Sequence, residues 1–144
     1  MSIIFDSMNK RGHEEVVFCH EQDTDLKAII AIHNTTIGPA LGGCRMWNYP
    51  TEEEALTDVL RLSRGMSYKA ALAKVPQGGG KAVIIKPAHP FDRIALYRAF
   101  GKFVNELGGR YITAVDSGTS LEDMDEVGQV TPHLSGSNND GFDP

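Results

Sequence analysis

The sequence predicts a single α/β domain built on a mixed, mostly parallel sheet flanked by helices. Three observations predict it. β-branched runs of strand length alternate with segments of helical period, Gly and Pro clusters punctuate them, and 144 residues at 41% hydrophobic content fit one buried core. That length leaves little room for a second domain of ordinary size, so a two-domain enzyme is not expected in this chain.

The elements follow in order. Residues 15–20 and 26–33 are β-branched-rich runs on either side of the polar EQDTD, and read as two antiparallel strands joined by a short turn. The segment IGPALGGCRMWNYP reads as a loop by its Gly and Pro content, yet it is apolar enough to line something. From Thr51 to Ala73 the spacing predicts a helix. Thr51 caps it, Glu54 completes a capping box, and Glu52 and Glu53 sit at the positive end of the dipole. Ala55, Val59, Leu62 and Met66 form its core stripe, with Gly65 as a weak point.

VPQGGG then breaks the chain before a strand from Lys81 to Lys86, whose AVII centre suits burial on both faces. After PAHP, residues 91–107 form a second helix stopped by Gly108 and Gly109, with Ile94, Leu96, Tyr97, Phe100, Phe103, Val104 and Leu107 apolar. A strand from Arg110 to Val115 leads through DSGT into a short helix capped by Ser120. The polar tail from Ser135 divides the chain into a domain at 1–134 and the start of a linker at 135–144.

Composition removes several function classes. With 14 Lys and Arg scattered against 19 Asp and Glu, a net charge of −5 gives phosphates no basic surface, so no nucleic-acid partner is expected. Cys19 and Cys44 make no disulfide framework, and without a CxxC pair or clustered histidines no metal is expected. No segment approaches a membrane span and the N-terminus lacks a signal-peptide pattern, so the expectation is a cytoplasmic protein with no membrane partner.

Three residues are candidates for chemistry. Lys69 follows Met66 and Leu62 at helical spacing and continues the apolar stripe, aiming a cation toward the core side; it is either an anion anchor in a cleft or an ammonium that reaches past the helix end into water. Lys81 follows Gly78, Gly79 and Gly80. It is either a partly desolvated lysine of lowered pKa, suited to act as a base, or an exposed lysine on a flexible turn.

Asp116 ends its strand on the face of Ile112 and Ala114, at the end where such sheets bind ligands; an Asx-type turn is the other reading. GGGK is not a Walker loop, since Val75 and Ala82 fail at its two ends, and no GxGxxG is present. Ser117 has neither a neighbouring base nor a GxSxG elbow, and Cys44 beside two glycines suits a packing role.

In order and spacing, LKAIIAIHNTTIGPALGGCRMWNY, LRLSRGMSYKAALAKVPQGGGKAVII and GGRYITAVDSGTSLEDMD resemble the leucine dehydrogenase group of the glutamate, leucine, phenylalanine and valine dehydrogenases, over nearly the whole chain. The resemblance implies NAD-dependent oxidative deamination of an L-amino acid to its 2-oxo acid. It implies that Lys69 pairs with the substrate carboxylate beside Gly42 and Gly43, and that Lys81 activates the attacking water. It further implies that Asp116 exchanges a proton with the amine, that Leu41 and Ala114 line the side-chain pocket, and that the chain forms a homo-oligomer.

Val115 and Ser117 depart from the family pattern beside that pocket. Relatives continue with an NAD-binding domain after a segment like DGFDP, so the expectation is a substrate and oligomerisation domain that is inactive alone, its cofactor residues lying elsewhere. The alternative is a stand-alone amino-acid-binding or regulatory module. Lys81 opens its predicted strand and Asp116 closes another, so their meeting requires an antiparallel relation or a reach from the glycine turn.

Overall fold

The computed structural model describes residues 3–136. Its elements are α1 (Ile3–Arg11), β1 (Glu15–Glu21), β2 (Leu26–Ile32), β3 (Ala40–Leu41), β4 (Cys44–Trp47), α2 (Glu52–Ala73), β5 (Gly78–Ile85), α3 (Arg93–Glu106), β6 (Tyr111–Ala114), α4 (Leu121–Gly128) and β7 (Leu134–Ser135). The sheet order is β1-β2-β5-β3-β6-β7, with β4 continuing alongside β5 beyond β3. β1 pairs β2 and β2 pairs β5 antiparallel, and the other pairs are parallel. A mixed, mostly parallel α/β sheet is therefore what forms. The tail from 137 onward lies outside the described residues, so the domain boundary at 134 meets only β7.

Three expectations are corrected. The segment IGPALGGCRMWNYP is not simply a loop, because it contains β3 and β4. Each is too short to show a period, and their partners are distant in sequence: Ala40 pairs Gly78 and Tyr111, and Cys44 pairs Ala82.

The glycine triplet is not a break before the strand, since it forms the first half of β5. A Cβ on Gly78 would lie 1.6 Å from the Asn34 carbonyl oxygen, and one on Gly79 would lie 2.2 Å from the Ser67 backbone nitrogen. Bare backbone is what lets α2 and the Asn34 turn reach the strand.

The buried side of α2 also differs from the expected stripe. Thr51 caps it, accepting from the Glu54 N–H, and Gly65 does not interrupt it. Ala55, Leu56, Val59, Leu60, Ser63 and Ala70 are buried, whereas Leu62 and Met66 are half-buried and Lys69 is exposed. The close approach at Gly79 turns the two serines toward the sheet. Ser67 Oγ accepts from the Gly79 N–H at 3.0 Å, His33 Nδ1 lies 2.7 Å from the same oxygen, and His13 Nε2 lies 2.7 Å from Ser63 Oγ.

Alternate residues of β5 face opposite layers. Ala82 and Ile84 join Ile30, Tyr97, Phe100, Tyr111 and Met124 in a core closed by α3 and α4. Val83 packs with Ile29, Ala31, Val59 and Leu60 under α2, so Gly79 and Lys81 point the same way. Register carries that face outward: Leu41 lies opposite Gly79 and Ile112 opposite Leu41. α2 lies over β2 and β5, and Leu41, Ile112 and Ala114 remain half-buried beside it.

Candidate functional site

β3 and β4 are one strand interrupted by Gly42 and Gly43, and the sheet divides there. A Cβ on Gly42 would fall 1.5 Å from the Gly80 carbonyl oxygen, and one on Gly43 would fall 2.7 Å from Cβ of Asp116. The interruption brings the end of β6 level with the middle of β5, because Cys44 bridges Val115 on one side and pairs Ala82 on the other.

Lys81 and Asp116 therefore meet across parallel strands. Neither an antiparallel relation nor a turn is involved, since the glycines have already carried Lys81 three residues into β5. Lys81 is only 6% exposed, and its Nζ lies 3.1 Å from Asp116 Oδ2.

Asp116 begins a turn through its backbone, leaving its carboxylate for the cations. Its carbonyl accepts from the Thr119 N–H at 3.2 Å, and its own N–H donates to Thr119 Oγ1 at 2.9 Å. Arg45 Nε donates to Oδ2 at 3.0 Å. Burial pushes the Asp116 carboxyl up, but Lys81 and then Arg45 outweigh it and hold it below the ordinary carboxylate range.

Behind Arg45 stands Asp58 of α2. It accepts from Arg45 Nη1 at 3.4 Å, from Arg61 at 2.9 Å and from the Tyr49 hydroxyl. Arg45, Tyr49 and Asp58 are not singled out by sequence reasoning. The one signal is that Arg45 and Tyr49 lie in the apolar stretch expected to line something.

Lys69 is not on the core side. It follows Asp58 by eleven residues, which returns it to within about 20° of the same direction around the helix. It stands on the flank of α2 that faces Arg45 and makes no hydrogen bond or ion pair among the described residues. Ser117 is exposed. Cys44 is fully buried, and burial, followed by the Asp116 and Asp123 carboxylates, pushes its thiol well above the ordinary range, so it is no nucleophile.

The described part of the site is thus a buried lysine paired with a half-buried carboxylate, beside a half-buried apolar floor of Leu41, Ile112 and Ala114 and flanked by a helix bearing an unpaired cation. Opposite charges and apolar surface lie together on one face of an α/β domain. The profile of the Glu/Leu/Phe/Val dehydrogenase, dimerisation domain, matches residues 13–133, and the chain belongs to that family.

The leucine dehydrogenase of Geobacillus stearothermophilus is 53% identical over 133 residues, which are 92% of this chain and 36% of that protein. The phenylalanine dehydrogenase of Bacillus thermotolerans is 55% identical over 133 residues, covering 92% of this chain and 34% of that one. The crystal structure of L-tryptophan dehydrogenase from Nostoc punctiforme superposes with a TM-score of 0.87 at 49% identity, over 91% of this chain and 39% of that chain. The chain spans about a third of the length of the curated relatives it matches. No described helix is long and apolar enough to cross a membrane.

Proposed function

We propose that this chain supplies the amino-acid-binding half of an NAD-linked L-amino-acid dehydrogenase that converts an apolar L-amino acid to its 2-oxo acid, releasing ammonia. The observation that carries the proposal is the Asp116 carboxylate, shared by buried Lys81 and Arg45 beside a half-buried apolar floor. Oxidation at the α-carbon requires a neutral amine, a held carboxylate and an activated water. Lys69 is the free cation for the carboxylate, with Gly42 and Gly43 at the split of the sheet. Asp116 takes the ammonium proton, and Lys81 stands where water attacking the oxidised carbon would be activated. Leu41 and Ala114 meet the side chain.

NAD supplies the hydride acceptor in this proposal. The glycine run does not fit it, because the positions a pyrophosphate would approach are filled by the Asn34 carbonyl, the α2 backbone and the Tyr111 ring. The dinucleotide would be held by residues other than those described. Two buried free cysteines support a reducing, cytoplasmic setting.

The test compares NAD-dependent deamination of leucine, valine, phenylalanine and tryptophan by the 144-residue chain and by a longer protein from the same gene. Activity is expected only in the longer one, with a loss of at least about 1,000-fold in its Lys81→Ala and Asp116→Asn variants. NADH production by the short chain alone overturns the proposal.

Self-association belongs to the same proposal. The outer edge of β1 has no strand partner among the described residues. Beside it, Ile3, Phe5 and Phe18 are exposed around an apolar concavity of about 620 Å³. Phe18→Glu is expected to shift the chain toward monomer in analytical ultracentrifugation. An unchanged sedimentation profile rejects this edge as the contact.

A further inference from the structure

Asp116 has two cationic neighbours, and only Lys81 has a chemical task in the proposed reaction. Both converge on Oδ2: Arg45 Nε at 3.0 Å and Lys81 Nζ at 3.1 Å. Oδ1 accepts no hydrogen bond from the described residues, and it is not sealed from solvent. A carboxylate held by a lysine alone turns about its last torsion, because an ammonium is a point charge without a fixed donor direction. A second donor arriving at the same oxygen from another strand removes that freedom.

Arg45 is itself held from behind. Its backbone is fixed in β4 opposite Val83, and its Nη1 meets Asp58 Oδ2, the oxygen that also takes the Tyr49 hydroxyl. The planar guanidinium spans two carboxylates, one on α2 and one on the turn after β6, which a lysine cannot do with the same geometry.

We propose that Arg45 is a positioning residue that pins Oδ2 of Asp116 and leaves Oδ1 as the oxygen presented to the substrate amine, with Asp58 and Tyr49 as its anchor. The inference rests on Asp116 as proton acceptor. Arg45 touches no reacting atom, and its effect passes through the carboxylate. The titratable groups around that carboxylate are Lys81 of β5, Arg45 of β4, Asp58 and Tyr49 behind it, and the buried Cys44 and Tyr111, both of which burial keeps neutral.

The test follows the Asp116 carboxyl carbon by NMR through an acid titration of the 144-residue chain and its Arg45→Gln and Arg45→Lys variants. Arg45→Gln is expected to raise the titration midpoint by about one pH unit, and Arg45→Lys by less, since charge remains while the fork is lost. A folded Arg45→Gln chain with the wild-type midpoint overturns the proposal. Should that variant not fold, Arg45→Lys decides: a raised midpoint supports the clamp and an unchanged one overturns it. A purely structural role would lower the urea midpoint without moving the carboxyl titration. The readout needs no turnover, so it stays separate from the activity of Asp116→Asn in the longer protein, which tests the proton-acceptor role.

Discussion

On the α3–α4 side of the sheet, Ala82 and Ile84 of β5 meet Leu96, Tyr97, Phe100 and Val104 in an apolar core, and its buried polar groups are paired: the Tyr111 hydroxyl with Thr113, the Tyr97 hydroxyl with Met46 Sδ and Asp123 with Arg93. On the α2 side, alternate residues of the same strand are Gly79 and Lys81, facing serines, histidines and an ion-pair chain. One face is closed by two helices and the other is covered by one helix that stops short of β3 and β6. The closed face carries the larger core, and the α2 face carries a smaller one of Ile29, Ala31, Val59, Leu60 and Val83 that leaves room beside it for charges and half-covered apolar surface.

The largest expected effect lies on the closed face. Phe100→Ala removes a fully buried ring and is expected to cost about 4 kcal/mol in urea unfolding. It should leave the Asp116 carboxyl titration where it is. A cost under about 1 kcal/mol would break the contrast between the faces.

The next effect reports the α2 layer through pH. Burial, and then the neighbouring His33, lower the His13 pKa to about 4. The unfolded chain therefore binds more protons between pH 6.5 and 4, so stability should fall as pH drops through that window and level off below it. The loss is expected to be on the order of 2 kcal/mol, measured as urea midpoints between pH 7 and 4.5. His13→Gln should flatten the slope. The depressed carboxyls of Asp58 and Asp116 act lower, losing their contribution only as pH falls below about 4.

The smallest effect sharpens the comparison. Lys81→Met leaves Asp116 its Arg45 partner, and the change in unfolding free energy is expected to stay within about 1 kcal/mol. A loss as large as that of Phe100→Ala would show that the lysine–carboxylate pair carries the fold as well as the proposed chemistry.

Much of the frame is legible in the sequence where the signal is local. The β1–β2 hairpin, α2 with its Thr51 cap, and α4 with its Ser120 cap each state themselves within a few residues, whereas the reciprocal capping box expected at Thr51 and Glu54 forms at Ser120 and Asp123 instead. β3, β4 and β7 do not, because two to four residues show no period and their pairing comes from strands far along the chain. α1 is equally quiet: it is short and buries none of its residues.

Lys81 and Asp116 stand out as charges in apolar strands, but their meeting depends on glycines that read locally as a break. Arg45 escapes notice because its partners, Asp58 and Asp116, lie 13 and 71 residues away.

The backbone contact between Gly79 and α2 sets the size of the unit that opens. With Ser63 and Ser67 resting directly on bare strand, the second half of α2 and the first half of β5 cannot separate one residue at a time. In native-state hydrogen exchange the amides of Ser67–Ala70 and Gly78–Lys81 should belong to one cooperative unit. Partial opening of the chain would then abolish the lysine–carboxylate pair altogether rather than loosen it.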